Sequence, residues 1–291
     1  ALPIGSVQAL LELAPGVVPV PAGPNNMGQY SVNGGRADSN YYTIDGVSAN
    51  FGSSVSISPA SSYNGSTPAF GSTGGSNNLV SLDALQEFRI QTSTYAPEFG
   101  RSPGAQISLV TRSGTNSLHG TAFDYLRNDA FDANNWFANA SNLSKPAERQ
   151  NDFGGTFSGP ILKDKTFFFF SYEGFRLRQP IVSQTLVPTV AVRQSAASTL
   201  QPFLNAFPLP TGPEILDSKG AKTGLAHSDA SVSNPTTLDA TSLKVDHNFG
   251  KFFLFERYSY APSSTFARNP TNVANSTAND ERTGTQTPTG G

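Results

Sequence analysis

Residues 166–176 read TFFFFSYEGFR, and this stretch decides the fold. Side chains alternate between the two faces of a β-strand. Five of its six aromatic side chains therefore divide into two sets, Phe167 and Phe169 on one face and Phe168, Phe170 and Tyr172 on the other. This pattern predicts a strand of an outer-membrane barrel or a strand of a soluble β-sandwich, because alternation is common to both.

Four further segments after Asn116 alternate in a similar way, at 121–127, 153–157, 241–249 and 252–260. The last two are joined by a tight turn at Gly250-Lys251, whereas residues 183–237 are rich in Pro, Ser and Thr and predict a long loop. Residues 262–291 are polar and predict a further loop, truncated at its end. Short turns at one end of the strands and long polar loops at the other are typical of an outer-membrane barrel, which the pattern therefore favours.

Residues 1–115 have a different character and predict a small α+β domain with a mixed sheet and two short helices. The first helix spans 6–14, where apolar residues recur at helical spacing, and Ser81 is the expected N-cap of the second, at 82–86. Residues 49–78 are mostly Ser, Gly, Asn, Thr and Pro without periodicity. So long a loop inside a compact domain indicates a functional segment.

Composition excludes several classes of protein. Lys and Arg total 19 against 21 Asp and Glu, and no basic run exists, so we expect no nucleic-acid partner. Cysteine is absent, which excludes disulfides, thiol nucleophiles and thiolate metal sites. The sequence contains no run of about 18 apolar residues, so it predicts no transmembrane helix.

Catalytic and metal-binding signatures are also missing from the sequence. None of the G-x-S-x-G, H-E-x-x-H and G-x-x-x-x-G-K-[ST] patterns occurs. The three histidines are far apart in the sequence, at His119, His227 and His247. The loose group of Asp124, Asp129, Asp132 and Asn134 does not have the spacing of a calcium loop. We therefore expect no enzyme, no cofactor and no metal site.

Several short motifs, taken together, resemble the TonB-dependent outer-membrane receptors, and within them the Oar-like group. These motifs are LAPGV at 13–17, SVNGGR at 31–36, YTIDGV at 42–47, LDALQEFR at 82–89, EFGRS at 98–102, TRSGTN at 111–116 and FFFSYEG at 168–174. Each motif alone is weak, but their order and spacing are specific. The resemblance covers residues 1–182 and 238–261.

This resemblance implies a mainly β protein in the outer membrane of the cell. A small α+β plug domain at 1–115 would be followed by an incomplete antiparallel transmembrane β-barrel, with strands over 116–261 and a loop at 183–237. In this family the plug gates energy-coupled uptake of a substrate through the barrel. The implied partners are a TonB-type energy-coupling complex, outer-membrane lipid and an unknown extracellular substrate.

The chain departs from the family pattern in its extent. It shows about five strands, whereas transporters of this kind close with about 22, and the segment that contacts TonB is missing. We therefore expect a fragment of a receptor that cannot transport by itself. The alternative is a soluble or surface-exposed all-β binding or adhesion protein.

Two sets of site residues follow from the resemblance. The plug structural motif comprises Gly34, Gly35, Arg36, Asp45, Gly46, Glu98 and Arg101. Its glycines, together with Asp45, suit turns with positive φ. On sequence alone, Arg36 and Glu98 read as solvated surface charges or as an ion pair, whereas the resemblance implies buried polar contacts for all four charged members. The ligand-contact candidates are the larger side chains of the polar loop, Phe51, Tyr63, Asn64 and Phe70.

Overall fold

The computed structural model describes residues 7–19, 30–36, 39–51, 67–68, 80–96, 99, 103–134, 136–140, 145, 147–267 and 279–291. They form two parts. An N-terminal unit extends to residue 111, and a wall of long antiparallel strands begins at residue 119. Among the described residues, no helix combines the length and the apolar character needed to cross a membrane.

The N-terminal unit is a small α+β structure, as predicted. Its elements are α1 (Val7–Glu12), β1 (Val17–Pro19), β2 (Tyr30–Val32), β3 (Tyr41–Ile44), β4 (Val47–Ser48), β5 (Asn50–Phe51), β6 (Thr67–Pro68), a 3₁₀ turn (Leu82–Ala84), β7 (Leu85–Gln91) and β8 (Gln106–Thr111). The main sheet has the order β4-β3-β8-β7, with β3 and β8 parallel and the other pairs antiparallel. The strand pairs β1-β2 and β5-β6 form separate two-stranded sheets.

One hydrophobic core holds this unit together. Val7 and Leu11 of α1 are buried in the same cluster as Ile107 and Leu109 of β8. The apolar face predicted for the first helix is therefore confirmed, because an amphipathic helix is stabilised mainly by burying that face. The second predicted helix is only the three-residue 3₁₀ turn, and Ser81 makes no capping hydrogen bond to it.

The wall consists of long strands with short helices between some of them. Its elements are β9 (His119–Asn128), a 3₁₀ turn (Asp129–Phe131), α2 (Trp136–Ala140), β10 (Arg149–Leu162), β11 (Thr166–Pro188), α3 (Val190–Ser195), α4 (Gln201–Asn205), β12 (Glu214–Leu216), β13 (Lys222–Asn248), β14 (Phe253–Ala267) and β15 (Asn279–Gly290). The order in the sheet is β9-β10-β11-β13-β14-β15, and β12 adds to β13. In the described part of the chain, β9 and β15 each have one neighbouring strand, so this sheet does not close into a barrel.

The loops predicted at 183–237 and 262–291 were wrong over much of their length. β11 continues to Pro188, β13 begins at Lys222, and β15 occupies residues 279–290. These segments have a polar sequence and therefore no regular apolar alternation. They form strands nevertheless, because hydrogen bonds to neighbouring strands satisfy their backbone.

Candidate functional site: the contact between the N-terminal unit and the wall

An aromatic side chain of the wall completes the core of the N-terminal unit. Phe169 of β11 is 4% exposed and belongs to the same buried cluster as Val80, Ala84 and Leu109. Its sequence neighbour Phe170 is on the opposite face and is exposed. The two faces predicted for residues 166–176 are thus confirmed, and the face of Phe169 is turned toward the unit. This face is called the inner face of the wall below.

Asp45 occupies the tightest turn of the unit. It and Gly46 form the two-residue connection between β3 and β4, with φ angles of +51° and +81°. A type I′ hairpin turn requires positive φ at both positions, which Asp-Gly adopts at low cost. Thr111, at the end of β8, donates a backbone hydrogen bond of 2.8 Å to Asp45 Oδ1 and a hydroxyl hydrogen bond of 2.8 Å to Oδ2. The carboxylate is therefore held in place before it meets the wall.

Two cations of the wall face this carboxylate. Lys244 Nζ of β13 lies 3.6 Å from Asp45 Oδ1, and Arg257 Nε of β14 lies 3.4 Å from Asp45 Oδ2. A second carboxylate, Asp246 of β13, has its Oδ1 3.8 Å from Lys244 Nζ. The side chains of all four residues are at most 7% exposed. We call this group of two cations and two carboxylates the charge cluster, and its formal charges sum to zero.

The charge cluster joins the two parts beside the hydrophobic contact of Phe169, which is directly paired with Lys244. Burying charge costs several kcal/mol per ion unless opposite charges compensate it, so each member depends on the others. The ion-pair distances exceed those of ordinary hydrogen bonds, about 2.7–3.2 Å, so the attraction is mainly electrostatic rather than directional. Polar groups of this kind can bind water when the two parts separate.

A second polar contact lies on the neighbouring strands β10 and β11. Ser81 of the unit hydrogen-bonds the side chain of Glu173, which is buried on the inner face of the wall. Asp152 of β10 is also buried on this face, and the 3₁₀ turn that follows Ser81 packs against β10. Burial raises the pKa of Asp83 in that turn, and the nearby Arg112 lowers it in part. Carboxylates therefore predominate at this contact, unlike at the charge cluster.

The outer face of the wall is apolar over part of its height. Exposed apolar and aromatic side chains recur on adjacent strands of this face, namely Phe157, Phe170, Leu243, Leu254, Tyr258 and Tyr260. The charged residues Arg176 and Asp239 lie on the same face beyond this band and pair at 2.7 Å. An apolar band with polar residues at its border is the surface that a barrel presents to lipid.

The structure places the plug structural motif unevenly. Asp45 is in the charge cluster, and Gly34 and Gly46 have positive φ, of +75° and +81°, whereas Gly35 does not. Arg36 is exposed, unlike the buried position that the resemblance implied. Its place in a surface turn next to Gly34-Gly35 leaves its charge in contact with solvent. Glu98 and Arg101 lie outside the described residues.

The ligand-contact candidates are almost all in segments that the structure leaves undescribed. Tyr63, Asn64 and Phe70 lie outside the described residues. Phe51 ends β5, and only its backbone is described.

The wall members of the charge cluster were not selected as site residues from the sequence. Lys244 and Asp246 alternate with Leu243 and Val245, which the pattern predicted correctly. The available signal was two opposite charges on one face of a strand whose other face is apolar. The sequence did not identify Asp45 as the residue that pairs with Lys244, because the two are far apart in the chain and no local pattern connects them.

Comparisons with known proteins decide the family. A family model described as an outer membrane beta barrel domain matches residues 110–290. The chain belongs to this family. The TonB-dependent transporter Oar of Myxococcus xanthus is 35% identical over 168 residues, which are 56% of this chain and 14% of that protein. The chain therefore spans only a small part of this curated relative's length.

A solved structure shows the same fold. The outer membrane transporter YddB from Escherichia coli superimposes with a TM-score of 0.56 at 16% identity, over 92% of this chain and 32% of that chain. The resemblance to TonB-dependent receptors, the incomplete barrel and the location in the outer membrane are thereby confirmed. No comparison supports the soluble or adhesive alternative.

Proposed function

We propose that this chain forms the plug and the first barrel strands of a TonB-dependent outer-membrane transporter. The N-terminal unit, at about residues 1–115, is the plug, and the wall is part of the barrel that surrounds it. The observation that carries this proposal is the charge cluster, in which Asp45 of the unit is buried against Lys244 and Arg257 of the wall. The similarity to the transporter Oar supports the same function.

The chemistry of the contact suits a gate that opens and closes. A plug must stay inside the barrel against thermal motion, and it must also be displaced without exposing a large apolar surface to water. Ion pairs and hydrogen bonds meet both needs, because each separated group is hydrated as it becomes exposed. Phe169 is the exception, since it packs into the core of the unit and adds a hydrophobic anchor at one point.

The proposed activity is transport, not catalysis. A TonB-type complex would supply the force that displaces the plug, and an extracellular substrate would pass through the barrel. The polar loop at 49–78, with Phe51, Tyr63, Asn64 and Phe70, is the proposed contact with that substrate. Aromatic and amide side chains suit this role, because they combine apolar area with hydrogen-bonding groups.

Conductance of the full-length protein in planar lipid bilayers tests the gate. Intact protein should conduct poorly, and deletion of residues 7–111 should leave an open channel of high conductance. A protein that conducts equally with and without these residues would contradict the proposal. A soluble or adhesive β-protein would give no conductance in either form.

Uptake by cells that express the full-length protein tests energy coupling. Compounds that such cells remove from the medium should include at least one whose removal stops when the proton gradient is collapsed. Cells with an empty vector are the control. If no compound requires both the protein and the gradient, energy-coupled transport is excluded.

A further inference from the structure

Two arginines face each other on the outer face of the wall. Arg149 of β10 is paired directly with Arg178 of β11, and both residues are exposed. Directly paired residues share a face of a sheet, and like charges in that position repel. Among the described residues, no carboxylate lies within ion-pair distance of either guanidinium. In the described part of the chain, this pair therefore lacks a counter-charge.

Arg176, on the same face of β11, shows what the pair lacks. Its Nη2 lies 2.7 Å from Asp239 Oδ1, and its Nη1 donates a hydrogen bond to the carbonyl of Leu238. Its guanidinium also lies 5.7 Å from the centre of the Phe153 ring. Asp239 thus neutralises the arginine nearest the apolar band, whereas among the described residues no carboxylate pairs with Arg149 or Arg178.

The height of the pair on the wall matches a membrane surface. Arg178 is separated from Thr166, where β11 leaves its short turn, by 178 − 166 = 12 residues. At about 3.3 Å per residue this is about 40 Å along the strand, and a tilt of about 40° reduces it to about 30 Å along a barrel axis. The apolar band of such barrels is about 25 Å tall. The pair therefore lies just beyond the band, at the end of the strands far from the short turns.

We infer that Arg149 and Arg178 bind a phosphate group of a lipid in the outer leaflet of the membrane. A phosphate between the two guanidinium groups would accept charge-assisted hydrogen bonds from both and remove their repulsion. The exposed side chain of Leu126 lies on the same face of the neighbouring strand β9, opposite Asn151 and two residues below Arg149, and would contact the acyl chains of that lipid. This adjoining apolar surface favours a lipid over free phosphate.

Binding of fluorescent lipid A to the full-length protein in detergent micelles tests this inference. The double variant R149Q/R178Q should bind lipid A about tenfold more weakly than the wild type, because two cationic contacts to phosphate are lost. The matched control is K163Q/K165Q, which removes two exposed charges from the short turn at the other end of the wall. The control should bind as the wild type does, and R149K/R178K should retain most of the affinity.

Several outcomes would overturn the inference. Equal affinity of R149Q/R178Q and the wild type would do so, as would an equal loss in K163Q/K165Q. Displacement of lipid A by a modest excess of inorganic phosphate would assign the pair to free phosphate instead. If R149Q/R178Q does not fold, the salt dependence of wild-type binding decides, and affinity that is unchanged between low and high salt excludes a phosphate contact. None of these results depends on whether the protein transports a substrate.

Discussion

The Asp45 carboxylate of the N-terminal unit lies 3.4 Å from the Arg257 Nε of the wall, and both side chains are almost completely buried. Each of these charges is acceptable in its position only because the other is present. Asp45 also accepts two hydrogen bonds from Thr111, so its place is fixed by the unit and not by the wall. The arrangement is that of a preformed anion on the unit and a matching cationic surface on the wall.

Asp45→Asn should weaken the attachment of the unit to the wall. Asn tolerates the positive φ at this position and keeps an acceptor for the Thr111 amide, so the turn should persist. The loss of one carboxylate leaves the buried cations with Asp246 alone. We expect the free energy that holds the unit against the wall to fall by about 3 kcal/mol. The measurement is the urea concentration at which channels of the full-length protein open in planar bilayers, which should be lower for the variant.

The matched control for this variant is Asp124→Asn, which removes a carboxylate from an exposed position of β9. Its opening midpoint should equal that of the wild type within error. If the two variants open at the same urea concentration, Asp45 does not hold the unit in place.

A double-mutant cycle measures the contact between Asp45 and Lys244 directly. Asp45→Asn and Lys244→Gln should each be destabilising, and the double variant should be less destabilised than the sum. Residues in one ion-pair network show interaction energies of about 0.5–3 kcal/mol. The same cycle between Asp124→Asn and Lys244→Gln should give no interaction, and a measured coupling there would show that the effect is not specific to the charge cluster.

Ser81→Ala tests where the Ser81 hydroxyl acts. The hydroxyl does not cap the 3₁₀ turn but contacts Glu173 of the wall. We expect a loss of about 1 kcal/mol in the wild-type background and almost none when Glu173 is already Ala, because the hydrogen bond is then absent. The readout is the urea midpoint for opening. A loss of equal size in both backgrounds would instead assign Ser81 to the cap.

Phe169→Ala should loosen the hydrophobic anchor between wall and unit. Truncation of a buried Phe costs about 3–5 kcal/mol, from lost burial and the cavity that remains. Phe170→Ala is the matched control, since it truncates the adjacent ring on the lipid-facing side. Limited proteolysis of the unit in the reconstituted full-length protein should be faster for Phe169→Ala only, and equal rates for the two variants would argue against the packing described.

The raised pKa of Asp83 predicts a pH dependence. The folded state binds this proton more tightly than the unfolded state, so the contribution of Asp83 to stability falls as pH rises from below the unfolded pKa of about 3.9 through the folded pKa. Asp83→Asn removes this loss. The urea midpoint of the variant relative to the wild type should therefore increase over that pH range and level off above it, and a constant difference would contradict the raised pKa.

Local pattern was sufficient for the elements that bury apolar side chains. The first helix and the two faces of residues 166–176 were predicted because period 3.6 and period 2 place apolar residues on one face. The turns at Asp45-Gly46 and Gly250-Lys251 were predicted because few residues accept positive φ. The polar extensions of β11 and β13 and the strand β15 were missed, since their pairing with neighbouring strands leaves no regular apolar alternation in the sequence.

The sequence by itself determined a small α+β unit followed by strands with one face suited to lipid, because side-chain periodicity and turn residues are local properties. Only the tertiary structure decided what the inner face is for. The meeting of Asp45 with Lys244 and Arg257, and of Ser81 with Glu173, joins residues far apart in the chain. The partner of a charge depends on three-dimensional proximity and burial, and the short-range pattern of a single sequence carries neither.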